Sequence, residues 1–148
     1  MSVLRRPFER HTYRIFAMGN DTLIVELYDT LLGSFSKDAL SKVKEEFVSL
    51  PERDPGEHWY DDIKFPESIS KKGRKITPDM DRLAEKHFLA YLSAECDTVS
   101  DKEAKLKKAS VYVEGLLSIG GPSTDALKKA IGQEKTAELF RNYLFKTV

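Results

Sequence analysis

The sequence predicts an all-α fold: a compact bundle of about seven short helices with one long irregular connection over residues 51–78. Three observations carry this expectation. Apolar residues recur at three- and four-residue intervals along most of the chain. Explicit helix start and stop signals separate those stretches. No run makes a convincing strand.

Pro7 suits a first helical turn, and Phe8, His11, Thr12, Ile15 and Phe16 share one face up to Gly19. Asn20 or Asp21 then caps a second helix carrying Leu23, Ile24, Leu27, Tyr28 and Leu31, which ends at Gly33. A β-hairpin competes for the same residues. Tyr13–Met18 and Thr22–Tyr28 flank Gly19-Asn20-Asp21 and hold β-branched and aromatic residues. Leu23, Ile24 and Val25 are consecutive rather than alternating, so the helix is the expectation.

Ser36 caps a third helix lined by Leu40, Val43, Phe47 and Leu50, which Pro51 stops. After residues 51–78, Thr77-Pro78-Asp79 combines a hydroxyl, a proline and an acid at a helix start. Met80, Leu83, Ala84, His87, Phe88, Tyr91 and Leu92 hold the period of that fourth helix. Ser100-Asp101-Lys102-Glu103 reads as a capping box for a fifth helix with Leu106, Ala109, Val113 and Leu116 inward. Gly120-Gly121-Pro122 ends it, Ser123 or Thr124 caps a sixth helix to Ile131, and Gly132 precedes a seventh with Ala137, Phe140, Tyr143 and Leu144.

At 148 residues the chain suits one helical domain: residues 1–50 a three-helix part, 51–78 a long ordered loop, 79–148 a four-helix part. The single cysteine excludes an internal disulfide. The opening MSVLRRPFERH has no apolar run of signal-peptide type, and no stretch of about 18 apolar residues occurs. A soluble cytoplasmic protein with no membrane partner is expected.

The formal charge is zero, which argues against a surface wholly adapted to nucleic acid. The distribution is uneven. Residues 1–20 carry four bases against one acid, 21–67 carry five against twelve, and 68–148 carry fifteen against eleven. An acidic patch that docks a basic partner fits the middle stretch, beside the plainer reading of a solvated surface.

Familiar chemical motifs fall short. SIGGPSTD lacks the GK[ST] ending of a phosphate loop, so its glycines read as punctuation between helices. DALKKAIGQEKTAELFRNYL places Lys128, Glu138 and Arg141 where a DNA-binding helix-turn-helix packs small or apolar residues. His58 and His87 invite a haem reading, but His58 lies between Pro55 and Pro66, where a distal helix cannot form. Glu57, His58, Asp61 and Asp62 are metal-ligand types without a calcium-loop glycine or a second ligand cluster. Cys96 lies between Glu95 and Asp97, an acidic setting that disfavours the thiolate. No metal, cofactor or catalytic residue is expected.

Arg82-Leu-Ala-Glu-Lys-His87 resembles the R-x4-H motif of the helical HEPN ribonucleases. That resemblance implies Arg82 and His87 acting together on RNA at a dimer groove. The same spacing recurs at Arg6 and His11. On the predicted fourth helix His87 shares the apolar stripe of Leu83, Ala84 and Phe88, which reads as a packed core histidine.

Loops longer than about 12–15 residues are uncommon in compact domains and tend to be functional or disordered. Trp59, Tyr60, Phe65 and Ile69 are residues that disordered tracts lack. The expectation is therefore a non-catalytic adaptor that meets another protein through Trp59, Tyr60, Asp61, Asp62 and Phe65. The alternative is nucleic-acid association through Lys71, Lys72, Arg74 and Lys75, extended by the lysines of the fifth helix. A HEPN-type ribonuclease stands behind both.

Overall fold

Residues 12–28 form a hairpin. In the computed structural model, which describes residues 12–18, 21–30, 35–97 and 99–147, strand β1 (Thr12–Met18) pairs antiparallel with β2 (Thr22–Tyr28). The register runs from Met18 opposite Thr22 to Thr12 opposite Tyr28. Asp21 closes the turn in the left-handed region, φ 55°, a conformation Asp tolerates better than most residues. The all-α expectation is corrected: the fold is mixed α/β. The predicted first two helices give way to strands over Thr12–Met18 and Thr22–Tyr28, while Phe8, His11, Gly19, Asn20, Leu31 and Gly33 lie outside the described residues.

The physical reason lies in β2, which is the central strand of a β1-β2-β3 sheet. Leu23, Val25 and Leu27 are at most 2% exposed on one face, while Glu26 and Tyr28 are buried on the other. A strand buried on both faces reads as a continuous apolar run, so its period of two disappears from the sequence.

Strand β3 (Ile69–Lys72) comes from inside the stretch expected to be an irregular connection. Val25 lies opposite Ile69 and Leu23 opposite Lys71. Its outer edge is covered in turn. Arg53 N donates to Ser70 O at 3.0 Å, Lys72 N to Pro51 O at 3.2 Å, and Glu52 bridges Lys71. Residues 51–78 thus contain an edge cover, a 3-10 turn (Asp61–Ile63) and a strand.

Helices α1 (Asp38–Glu46) and α2 (Thr77–Ser93) match the predicted third and fourth helices. They pack on the sheet face that carries Leu23 and Val25, and Phe47, Leu50, Ile69, Met80 and Leu83 complete the core there. Asp21 ties the hairpin to the start of α2. Its carboxylate accepts from Ile76 N at 3.2 Å and from the Thr77 hydroxyl. Thr77, expected as the cap, is the first helical residue and a donor to Asp21.

The described residues divide into two compact units, one made from 12–18, 21–29 and 35–97 and the other from Thr30 and 99–147. The sheet, α1 and α2 belong to the first. In the second, α3 (Lys102–Ser118) starts at Asp101, whose Oδ1 accepts from Ala104 N at 2.9 Å. The N-cap is therefore Asp101 rather than Ser100. Tyr112, Val113, Leu116 and Leu117 are buried, whereas Leu106, expected inward, is 45% exposed. Helices α4 (Pro122–Ile131) and α5 (Gln133–Glu138) follow, and α5 widens into a π-helix over Leu139–Leu144. Phe145 N donates to Phe140 O at 3.0 Å in the i to i−5 pattern. Phe145 packs edge-on against Tyr112 and tilted against Phe140.

Candidate functional site

Between the 3-10 turn and β3 the chain runs beside β2, leaves it, and returns. Asp29 N donates to Ile63 O at 2.8 Å, Tyr28 bridges Lys64, and Phe65 N donates to Leu27 O at 2.8 Å. At Pro66 and Glu67 the ladder breaks. Ser68 restores one bond with its side chain, accepting from Leu27 N at 3.0 Å. Pro66 has no N–H to offer a neighbouring strand, which suits the bulge.

The carbonyls of this strap are held by side chains from two helices. Lys44 Nζ of α1 donates to Pro66 O at 2.6 Å and to Ser68 O at 3.0 Å. His87 Nε2 of α2 lies 2.9 Å from Glu67 O. A carbonyl only accepts, so Nε2 carries the hydrogen. Ser41 Oγ donates to Glu67 Oε1 at 3.4 Å, while Glu67 Oε2 is buried without a hydrogen-bond partner. His87 is 0% exposed. Burial above all pushes its pKa below the ordinary value, with the Lys44 ammonium acting in the same direction.

Lys64, at the start of the strap, meets an aromatic stack just upstream. Tyr60 is 4% exposed. It meets Tyr28 edge-on at 5.3 Å, Trp59 edge-on at 5.2 Å and the His58 ring face-on at 4.9 Å. Such pairs contribute about 0.5–1.5 kcal/mol each beyond their buried area. On the far side of the sheet from α2, the Tyr28 hydroxyl donates to Glu26 Oε2 at 2.6 Å. Asp61 closes the turn: its Oδ2 accepts from His58 N at 2.8 Å and its Oδ1 from Lys64 Nζ at 2.6 Å. The Lys64 hydrogen bond holds the Asp61 carboxyl below its usual range. Lys64 also lies over the Tyr60 ring, and Lys37 lies 4.7 Å over Phe65.

Of the predicted docking residues, Tyr60 is a buried support, Trp59 and Phe65 are half-buried, Asp61 is engaged, and Asp62 is exposed. The basic run is split. Lys71 is 1% exposed, with Nζ 3.0 Å from Leu50 O and 2.5 Å from Glu52 Oε1. Lys72, Arg74 and Lys75 are exposed. Arg82 and His87 do not share a surface, because Arg82 pairs with Asp79 in solvent while His87 is core. Among the described residues no group of three or more His, Cys, Asp or Glu is placed to hold a metal, and no helix is long and apolar enough to cross a membrane.

Sequence reasoning missed Tyr28, Ser41, Lys44 and Glu67. No local signal could have found them, since their partners lie 20 or more positions away in the chain or across a sheet.

In the second unit an open groove of about 1020 Å³ is lined by Glu114, Leu117, Ile131, Lys135, Glu138 and Arg141, among others. Arg141 crosses it, donating from Nε and a terminal nitrogen to the two Glu114 oxygens at 2.7 and 2.8 Å. That pairing holds the Glu114 carboxyl below its usual range. It also occupies the guanidinium fork that a carboxylate or phosphate ligand would need.

Compared with protein-family models and with curated proteins, the chain matches none.

Proposed function

We propose that this protein works in the cytoplasm as a protein-interaction module without catalysis, engaging a partner through residues 54–65. The observation that carries the reading is the support beneath Trp59. Tyr60 is buried against Tyr28 and stacked with His58, so the half-buried indole beside it is presented on a fixed base. Rigid aromatic anchors of this kind dominate binding energy at interfaces, because little side-chain entropy remains to be lost. Asp54, Glu57 and Asp62, in the same segment as Trp59, are exposed. They suit a partner surface that carries lysine or arginine beside an apolar pocket.

Paired pull-downs with wild-type protein and Trp59→Ala test this. A stoichiometric partner captured by the first and lost by the second, at unchanged helical circular dichroism, supports it. Retention by Trp59→Ala overturns it. Salt-sensitive binding of RNA or DNA that Lys72→Gln, Arg74→Gln and Lys75→Gln together abolish favours the nucleic-acid reading instead.

A further inference from the structure

The strap and its two helical clamps differ in what it takes to open them. Helix α2 buries Met80, Leu83, His87, Ala90 and Tyr91. Displacing it uncovers the core. Residues 64–68 bury none of their side chains fully, and the strap is tied to the helices by the Lys44, His87 and Ser41 hydrogen bonds. Local opening follows the element with the fewest buried apolar contacts, which is the strap.

One of those ties depends on a titratable ring. As a neutral imidazole, His87 donates from Nε2 to Glu67 O and carries no charge into its enclosed site. A second proton puts a full positive charge there. Two charged groups act on that ring. The Lys44 ammonium, which holds the carbonyls on either side of Glu67, repels the imidazolium. The Glu67 carboxylate attracts it, and its Oε2 is the buried oxygen that lacks a partner. From the sheet, Glu26 of β2 is turned away by strand alternation, since Leu23 and Val25 are the β2 residues that meet the α2 core. Hydrating the imidazolium requires either α2 or the strap to move, and the strap is the weaker element.

We propose that His87 is a proton-operated latch on the Pro66–Ser68 strap, whose protonation frees the strap and, through Lys64, which meets Tyr60 and Asp61, loosens the aromatic stack of residues 58–60. The latch itself is independent of any partner. Its role as a regulator rests on the reading of residues 54–65 as the docking element.

The direction follows from linkage. The unfolded ring takes its proton near the ordinary value of about 6.5, and the folded ring takes it at lower pH. The closed strap is fully stable above about pH 6.5 and loses stability as pH falls toward the folded-state pKa.

The chain's single tryptophan is the reporter. His58 stacks on the Tyr60 ring, so the experiment uses a His58→Asn background that leaves His87 the one imidazole beside the strap and stack; the backbone bond from residue 58 to Asp61 survives that change. Expected is an acid transition in Trp59 emission at constant far-ultraviolet circular dichroism, abolished by His87→Gln, whose amide still donates but takes up no proton. An unchanged transition in the His87→Gln protein overturns the latch, as does emission that shifts only when the helical signal collapses. If His87→Gln fails to fold, nuclear magnetic resonance of the His58→Asn protein decides. The His87 ring and the Trp59 indole must titrate with one midpoint, and separate midpoints overturn the proposal. A latch that works while Trp59→Ala still captures the partner leaves the switch standing and removes the docking reading alone.

Discussion

Lys71 and Glu52 form an ion pair across the edge of the sheet, 2.5 Å from Nζ to Oε1, with the lysine at 2% side-chain exposure and the glutamate at 65%. The lysine is opposite Leu23 on the core face and reaches the rim along its own methylenes. Its ammonium also donates to the Leu50 carbonyl at 3.0 Å. It is part of the fold's edge rather than of a cationic surface.

Lys71→Ala is therefore expected to destabilise by about 2–4 kcal/mol, from lost stem packing and an orphaned Leu50 carbonyl. Lys72→Ala, one residue on and exposed, is expected within about 0.5 kcal/mol of wild type. Urea midpoints of the two variants check the contrast. Equal midpoints would contradict the assigned register of β3.

The same strand shows what could be read from the sequence and what could not. The helices after residue 36 were legible because each has a local terminus signal: Pro51 after α1, Thr77-Pro78 at α2, Asp101 at α3, Gly132 between α4 and α5. Even so, among its described residues α4 buries only Thr124, and the apolar Ile131, Tyr143 and Leu144 are exposed. The hairpin was legible only as an alternative, since burial on both sides of β2 removed its alternation. Strand β3 was hidden in Ile69-Ser70-Lys71-Lys72, because a lysine stands where the pattern requires an apolar residue. Trp59 and Tyr60 stood out by composition alone. The supports that position them, Tyr28, Lys44 and His87, are set by topology and leave no local trace.

Asp21 serves two purposes that substitution can separate. Asp21→Ala removes the acceptor for Ile76 N and the Thr77 hydroxyl and also forces alanine into φ 55°. It is expected to cost about 1–2 kcal/mol. Asp21→Gly loses the same acceptor and keeps the backbone relaxed, so it is expected to cost less. Thermal midpoints in the order wild type, Gly, Ala check both assignments.

Lys105 is buried in the second unit, its Nζ 3.4 Å from the Thr30 carbonyl. Burial lowers its pKa from the ordinary 10.5. The unfolded chain then binds more protons between the folded-state pKa and 10.5, so stability rises with pH through that window, and the penalty is fully present below it. Lys105→Met is expected to raise the midpoint at pH 7 by roughly 2–4 °C and to flatten the alkaline rise. A lower midpoint at pH 7 would show that the Thr30 contact outweighs the cost of burying the charge.

The Glu114–Arg141 pair has bidentate geometry, yet both partners are 40% exposed or more. Water screens such charges, and ordering two long side chains opposes the attraction. A double-mutant cycle with Glu114→Gln and Arg141→Gln is expected to give a weak coupling that shrinks further in 0.5 M salt. The carboxyl's lowered pKa sets the pH behaviour. Its contribution is present above the ordinary carboxylate value of 4.5 and is lost as pH falls through the folded-state pKa. A strong, salt-independent coupling would mean that the pair fixes the π-helix to α3 through packing, with charge playing a minor part. The two cases separate in an Arg141→Met variant, which keeps the stem and removes the charge.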